Sequence, residues 1–378
     1  MLKLSPRLVW ARLSGANNLT LTLGMADELW LIGLVRAKTH PSTTNAVATF
    51  PTREGKIRYN VIIMEETNVL QSPVWADFQR RLGRNVITKK TKKYSYVAIV
   101  EKGAFSKRLY CPLGPIAGNL DGFQAALEDL KKEAKKQKLD FVRVEPTNAN
   151  FSAGDMAKLG LKKSRRDVQP PHSIVNDVSA NKDKIAAELS QTARRYARKC
   201  DKAGITYRVS YEPTDIRYFI RLIHEVADRT GMHPMDDLYF QQIAGFMFPQ
   251  KSAGLLLAEL NGEVIAAIIF YTDIHAGGST MMYTHAANST KYRKYSPATG
   301  LGLYALNFAH DEGCKVFDWC GVAPKKDDGN PRWQSWRGFT HFKESYGGTR
   351  VDRIGTWELP LNHIKYNIYR LFLWLLHR

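Results

Sequence analysis

The sequence predicts an α/β chain (an α+β arrangement) in which one plan occurs twice in tandem, and three observations carry that prediction. Short β-branched apolar runs bounded by Gly and Pro are interleaved with amphipathic helical stretches. The order of elements in the first half returns, at greater length, in the second. The chain has 378 residues, 44% of them hydrophobic, enough for two or three domains that each bury a core.

Residues 1–63 scatter Thr, Asn, Pro and Gly among short apolar pieces without a sustained helical period. They are expected to form a poorly packed extension, with a small strand domain built from residues 28–35 and 59–64 as the alternative. Met64 opens what reads as a domain start. SYVAIVEK and KRLYCPLGP predict strands. Asp121 to Gln137 predicts a helix, with Phe123, Ala126, Leu127 and Leu130 on one face and its lysines toward the C-terminal end, where the helix dipole favours them. A strand LDFVRVEP, a short helix near Ala153 to Leu159 and a strand after Gly160 complete the first copy, 64–178.

After the turn-like QPPHS and the strand SIVNDV, the second copy, 179–354, begins with helices over Lys184 to Ala203 and Asp215 to Thr230. GLLLAEL, Asn261-Gly262 and EVIAAIIFYT predict a hairpin, and STMMYTHAA a third strand. A helix from Pro297 to Glu312, a strand KVFDWCG, a helix around Trp336 to Tyr346 and a strand from Thr349 to Leu359 follow, with residues 355–378 returning to the first copy. Two helices, three antiparallel strands, then helix, strand, helix, strand is the element order of an acetyltransferase-like (GNAT-type) domain. No GxGxxG or GxxxxGK[ST] follows a strand, which disfavours a dehydrogenase or a kinase.

Lys and Arg number 55 against 36 Asp and Glu, a formal charge of +19, which favours polyanionic partners. Cys111, Cys200, Cys314 and Cys320 form no CxxC pair and have no histidines at zinc spacing, so neither a disulfide framework nor a metal site is expected. The longest apolar stretch, Leu255 to Tyr271, is interrupted by Glu259, Asn261 and Glu263 and falls short of a bilayer span. With no signal-peptide core at its start, the chain is expected to be cytoplasmic.

Arg194, Arg195, Arg198, Lys199 and Lys202 crowd one helix; Arg194 and Arg198 share a face and suit a bidentate phosphate clamp, a solvated face being the alternative. KKTKKYSYV, from Lys89 to Val97, interleaves lysines with tyrosines and suits either a nucleic-acid backbone or solvent. Lys291, Arg293 and Lys294 precede the Pro297 helix where a CoA-dependent enzyme would carry a Gly-rich pyrophosphate loop. Gly300 and Gly302 instead fall inside the helix. Lys343 is either a snorkelling surface lysine or a fixed cation at a reacting carbonyl. Asp318 is expected to cap a strand end, and His341 could be core or surface. No GxSxG or HExxH appears.

The chain resembles the Fem family of peptidoglycan peptidyltransferases, which build interpeptide bridges from aminoacyl-tRNA. The resemblance runs from about Gln71 to the C-terminus through LQSPVWADFQ, RLYCPLGPI, FVRVEP, the R-x-x-x-R-K-x-x-K-x-G pattern from Arg194 to Gly204, MMYTHAA, AHDEGCKVFDWCG and FKESYGG. It implies twin acetyltransferase-like domains without a coiled-coil arm, no cofactor, and aminoacyl-tRNA as co-substrate with a UDP-linked or lipid-linked muramyl peptide as acceptor. By motif, Lys343 would stabilise the tetrahedral oxyanion with Phe342 shaping the pocket, Arg194 would bind phosphate with Arg198 beside it, and Tyr110 and Tyr283 would line the peptide site. Lys291, Arg293 and Lys294 would face tRNA. Leu113 stands where the family carries an arginine. A monomer is expected.

The C-terminal stretch places Ile364, Ile368, Leu371, Phe372, Leu375 and Leu376 at helical spacing between Lys365, Arg370 and Arg378. Burial of these aliphatic residues against the first copy is the expected use; peripheral contact with the inner leaflet is the alternative. Two rival functions remain open: a CoA-dependent N-acyltransferase of the same fold, and a non-enzymatic RNA-binding protein.

Overall fold

The computed structural model describes residues 68–376, apart from residue 104 and residues 327–330, together with five short strand pieces nearer the N-terminus. The chain divides into two units, residues 1–65 and 66–378. In the first, β1 (Arg12–Leu13), β2 (Leu19–Thr20) and β3 (Leu34–Val35) pair antiparallel, and β4 (Thr49–Thr52) pairs with β5 (Gly55–Arg58). The rest of that stretch, and with it the expectation of a poorly packed extension, lies outside the described residues.

The second unit opens with α1 (Pro73–Arg81), whose N-cap Ser72 accepts from Trp75 N, with Pro73 where no amide hydrogen is needed. Then follow β6 (Val86–Lys90), β7 (Tyr94–Lys102), β8 (Lys107–Cys111), β9 (Ile116–Ala117), α2 (Leu120–Lys136), β10 (Phe141–Val144), α3 (Ala153–Lys158) and β11 (Lys162–Lys163). The chain continues through β12 (His172–Asp177), α4 (Lys182–Glu188), α5 (Gln191–Lys202), β13 (Thr206–Ser210), α6 (Ile216–Thr230), α7 (Asp237–Met247), β14 (Ala253–Leu260), β15 (Glu263–Thr272) and β16 (Thr280–Asn288). It ends with α8 (Pro297–Asp311), β17 (Val316–Asp318), α9 (Pro331–Glu344), β18 (Thr349–Asp352), β19 (Trp357–Pro360) and α10 (His363–Leu376).

These elements build two seven-stranded sheets, the twin acetyltransferase-like architecture that the element order predicts. One runs β11-β19-β10-β8-β7-β6, with β9 against β7; the other runs β13-β14-β15-β16-β17-β12-β18. In the second sheet β13 to β16 are antiparallel, and β17 joins β16 in parallel. The Asn261-Gly262 turn is present, both residues at positive φ as a tight hairpin demands. Among the described residues the longest helix is α2, at 17 residues, and no coiled-coil arm projects.

Strand periodicity decides the layers. On β14, Leu256, Ala258 and Leu260 join the core beneath α5 and α8, while Leu255 and Leu257 join the core beneath α6 and α7. Both faces of this strand are covered, so it reads as a continuous apolar run. Trp75 and Phe78 of α1 pack into the α6–α7 core, which locks the first copy to the second. On β10, Val142 and Val144 face α2, whereas Phe141 packs on Tyr366 and Tyr369 of α10.

Several elements differ from the sequence expectation for local physical reasons. The helix read as Lys184 to Ala203 is two, because Leu189 is buried in extended backbone and Ser190 caps a fresh helix through Ala193 N. Helix α2 begins at Leu120, one residue before the expected Asp121, because Asn119 caps it by accepting from Gly122 N. The strand His172–Asp177, placed at the end of the first copy, pairs with β17 and β18 in the second sheet. The single strand read from Thr349 to Leu359 is two strands in different sheets. The chain turns between them at Gly355, at φ +73°, where Thr356 N donates to Asp167 Oδ1 at 2.7 Å. The strands β6 and β13 and the helix α7 have no counterpart in the sequence expectation.

The aliphatic stripe of Ile364, Ile368, Leu371 and Leu375 is not what buries α10. Tyr366 and Tyr369 pack on Phe141, with Arg143 donating 2.6 Å to Glu358 Oε1 and 2.7 Å to the Tyr369 hydroxyl, and Tyr366 donating 2.9 Å to Glu358 Oε2. Ile364, Ile368, Leu371 and Leu375 point the other way and are exposed.

Candidate active site

The chemistry-bearing residues converge where β17 ends. Its last residue, Asp318, is buried and accepts from Ser173 Oγ, from Cys320 N at 2.7 Å and from Arg353 at 3.2 Å. That carboxylate is therefore more than a strand cap, because it bends the following residues into place. Cys320 takes φ +54°, and Gly321 is squeezed between Trp336 and Pro170, whose nearest carbons would lie 2.8 and 2.9 Å from an added Cβ.

Lys343 reaches this bend from α9. It is 7% exposed, and its ammonium donates to Gly321 O at 2.8 Å and to Cys320 O at 3.3 Å. The ammonium also lies over the rings of Phe339 at 5.2 Å and Tyr283 at 5.4 Å. Burial pushes its pKa down to about 8, a fall that Cys320 and Asp318 only partly oppose. Lys343 is therefore not a snorkelling surface lysine: its ammonium is buried and held by backbone. An ammonium carries three donors, and two of them are held by the backbone carbonyls of Cys320 and Gly321.

The shell behind the lysine is aromatic. Trp319 stacks on Tyr346 at 4.3 Å, packs on Tyr283 at 5.2 Å and donates to Asn176 Oδ1 at 2.7 Å. Phe342 meets Trp319 and Tyr346 edge-on, so it supports the wall and does not touch the ammonium in the way Phe339 does. Thr340 accepts from Ala323 N at 2.9 Å, a second tie between α9 and the bend.

The structure thus brings Lys343, Phe342 and Tyr283 together. Tyr110 sits apart, buried in β8, where its hydroxyl donates 2.7 Å to Glu145 and accepts from Gln169 at 3.3 Å. Its link to the lysine is indirect, through the Gln169–Pro170 segment that packs on Gly321. Leu113 is buried with its amide bonded to Glu145. His341 is exposed.

Arg194 and Arg198 are exposed on α5, whose other face packs Ala193, Ala197 and Cys200 into the core. At its start Ser190 N donates 2.8 Å to Ser345 O, just beyond Lys343; near its end Lys199 donates 2.6 Å to Lys294 O. Twelve helical residues therefore run, over roughly 18 Å, from the lysine-bearing helix to the basic loop of Lys291, Arg293 and Lys294. The loop and the helix form one cationic ridge.

The first turns of α8 pack closely on two tyrosines. An added Cβ on Gly302 would lie 2.2 Å from the Tyr346 hydroxyl, and one on Gly300 1.9 Å from that of Tyr207. These glycines admit tyrosines between packed elements. Tyr346 donates 2.8 Å to Thr299 O.

Over residues 155–269 and 263–373 the chain matches the FemAB family. The chain belongs to the FemAB family. A Lipid II:glycine glycyltransferase from Staphylococcus haemolyticus (strain JCSC1435) is 20% identical, the alignment covering 64% of this chain and 74% of that protein. Among solved structures, that of FemX superposes with a TM-score of 0.71 at 16% identity, covering 81% of this chain and 95% of that one. L-PGS from Bacillus licheniformis superposes at 0.51 with 13% identity, covering 84% and 99%. The family match takes in the whole second sheet and the bend that holds Lys343.

The cluster is only partly visible in the sequence. The partners of Lys343 are backbone oxygens, which no side-chain pattern marks. Phe339 had a signal, since it lies four residues before Lys343 on the same helix face.

Proposed function

We propose that the protein is an aminoacyltransferase that moves an amino acid from aminoacyl-tRNA to the stem-peptide amine of a muramyl-peptide precursor, as a bridge-forming enzyme of cell-wall synthesis. Family membership and the Lipid II:glycine glycyltransferase relative support the transferase class and a lipid-linked acceptor, with a UDP-linked one as the alternative. The observation that carries the reading is the buried Lys343 ammonium with one donor left unengaged.

In this reading the ester carbonyl of the aminoacyl-tRNA rests against Lys343. The acceptor amine attacks, a C–N bond forms, and negative charge grows on an oxygen facing the ammonium, where a fixed cation lowers the barrier. Collapse breaks the ester C–O bond, and the amine's proton passes to the departing ribose oxygen. The ester is already activated toward an amine, so neither a protein nucleophile nor a cofactor is called for. The ridge of α5 and the loop of Lys291, Arg293 and Lys294 suits two polyanionic substrates.

A CoA-dependent reaction is less well supported, because Gly300 and Gly302 serve to pack Tyr207 and Tyr346 against α8 and do not form a phosphate loop before it. A purely RNA-binding role leaves the buried lysine without a use. The test supplies labelled aminoacyl-tRNA with either UDP-linked or lipid-linked muramyl pentapeptide, and acetyl-CoA with amines in parallel. Label on a precursor is the expected result. Acetyl-CoA consumption without transfer to any precursor would replace this reading with the CoA-dependent one.

A further inference from the structure

The geometry points to a membrane-docking face on the first sheet's domain: α10 and the β7–β8 turn together seat the protein on an anionic lipid surface. This inference stands apart from the transfer reaction, since no residue of the Lys343 cluster takes part.

Ile364, Ile368, Leu371 and Leu375 recur at intervals of four, three and four along α10 and so form one stripe. They are 75%, 52%, 56% and 58% exposed. Scattered exposed aliphatics are ordinary, but four in register on one helix make a contiguous apolar patch. Their direction is fixed, because the opposite face is pinned by the buried Arg143–Glu358 pair and the hydroxyls of Tyr366 and Tyr369. Phe105, half exposed at the tip of the β7–β8 turn, packs at 4.3 Å on Phe372 and widens the patch.

Charge complementarity names the occupant. Lys102 and Lys107 face each other at the base of that turn. Asp140 accepts from Lys107 N at 2.7 Å and pairs with Lys365 of α10 at 3.6 Å, so hairpin base and helix lie side by side. The base also borders a cleft of about 790 Å³ lined by Arg84, Lys102, Lys107 and Arg108, against which only Glu101 sets a negative charge. Exposed aliphatics rimmed by cations match a bilayer with anionic headgroups: acyl chains take the stripe and headgroup phosphates the lysines. A second copy of this chain would bring the same cations against one another. No helix among the described residues is long and apolar enough to cross a membrane, so α10 lies on the surface.

The test is co-sedimentation of the full chain with vesicles of phosphatidylcholine alone or mixed with an equal part of phosphatidylglycerol. Binding to the anionic vesicles is expected, falling at least about tenfold in Ile368→Asp/Leu371→Asp. Lys102→Gln and Lys107→Gln should each reduce it about fivefold, the equivalent of ~1 kcal/mol per basic residue near such a surface. Ile368→Ser, a milder change at an exposed position, should reduce binding without altering the melting temperature. Failure to bind anionic vesicles, or binding that the stripe variants leave unchanged, would overturn the inference. So would a lipid-free dimer that Leu371→Asp dissolves, which would assign the face to a second copy.

Discussion

The Lys343 ammonium lies 2.8 Å from the carbonyl oxygen of Gly321, a residue wedged between Trp336 and Pro170. The packing of Pro170 on Gly321 ties this bond to the first sheet's domain, since Pro170 belongs to the segment that Glu145, just after β10, holds through Gln169. A charge whose position depends on backbone, and backbone whose position depends on close packing, leave little slack for movement.

Transfer should decline above pH 8 or so. With its pKa near 8, Lys343 loses its proton in that range, and the loss removes the cation from the developing oxyanion. A pH–rate profile should show a one-proton fall on the alkaline side that is absent from the residual activity of Lys343→Met.

The same shift has a sign in stability. An unfolded lysine titrates near 10.5, so between about 8 and 10.5 the unfolded chain binds more protons than the folded one. Stability attributable to Lys343 therefore rises with pH through that window, at about 1 kcal/mol per pH unit, and is flat below it. Urea titrations of wild type and Lys343→Met across this window would report it as a growing difference.

Gly321→Ala should slow turnover more than it weakens binding. The added methyl must displace Trp336 or the bend, and a shift of about 1 Å in a positioned group can cost on the order of a hundredfold in rate. Steady-state kinetics should show the loss in kcat with KM nearly unchanged, and melting should show a destabilisation of ~1–3 kcal/mol.

Glu358→Ala should loosen the return of the C-terminus. It leaves Arg143 buried without its carboxylate, at a cost of about 3–5 kcal/mol, and removes the acceptor for Tyr366. Limited proteolysis should then cut at α10 before the rest of the second unit.

The cationic ridge predicts a salt dependence. Arg194→Ala and Lys294→Ala should weaken tRNA binding and lower the slope of log affinity against log salt by about 1 for each phosphate that is no longer neutralised. Binding curves at several salt concentrations would measure it, and unchanged slopes would remove these residues from the tRNA surface.

Much of the scaffold could be read from periodicity and punctuation. The β14–β15 hairpin announced itself through Asn261-Gly262, and α8 through Pro297, because local chemistry alone fixes those turns. The break at Leu189–Ser190 was harder, since a helical pattern continues across it and tertiary burial of Leu189 decides the matter. The separation of β18 from β19 hinges on Gly355 meeting Asp167, a pairing remote in sequence. The resemblance named Lys343 and Tyr283, which the structure places side by side. The Cys320 and Gly321 carbonyls were not legible, because backbone atoms look alike in every sequence. On α10 the aliphatic stripe was visible, but two tyrosines with satisfied hydroxyls took the buried face instead.

The most direct test of the account is the single-turnover rate of amino-acid transfer to a muramyl pentapeptide acceptor by wild type and Lys343→Met, with melting curves confirming that both are folded. Removing the cation should lower the rate at least about a hundredfold, the scale of losing an oxyanion partner. A folded Lys343→Met enzyme that transfers at the wild-type rate would contradict the assignment of the buried ammonium to the reacting carbonyl.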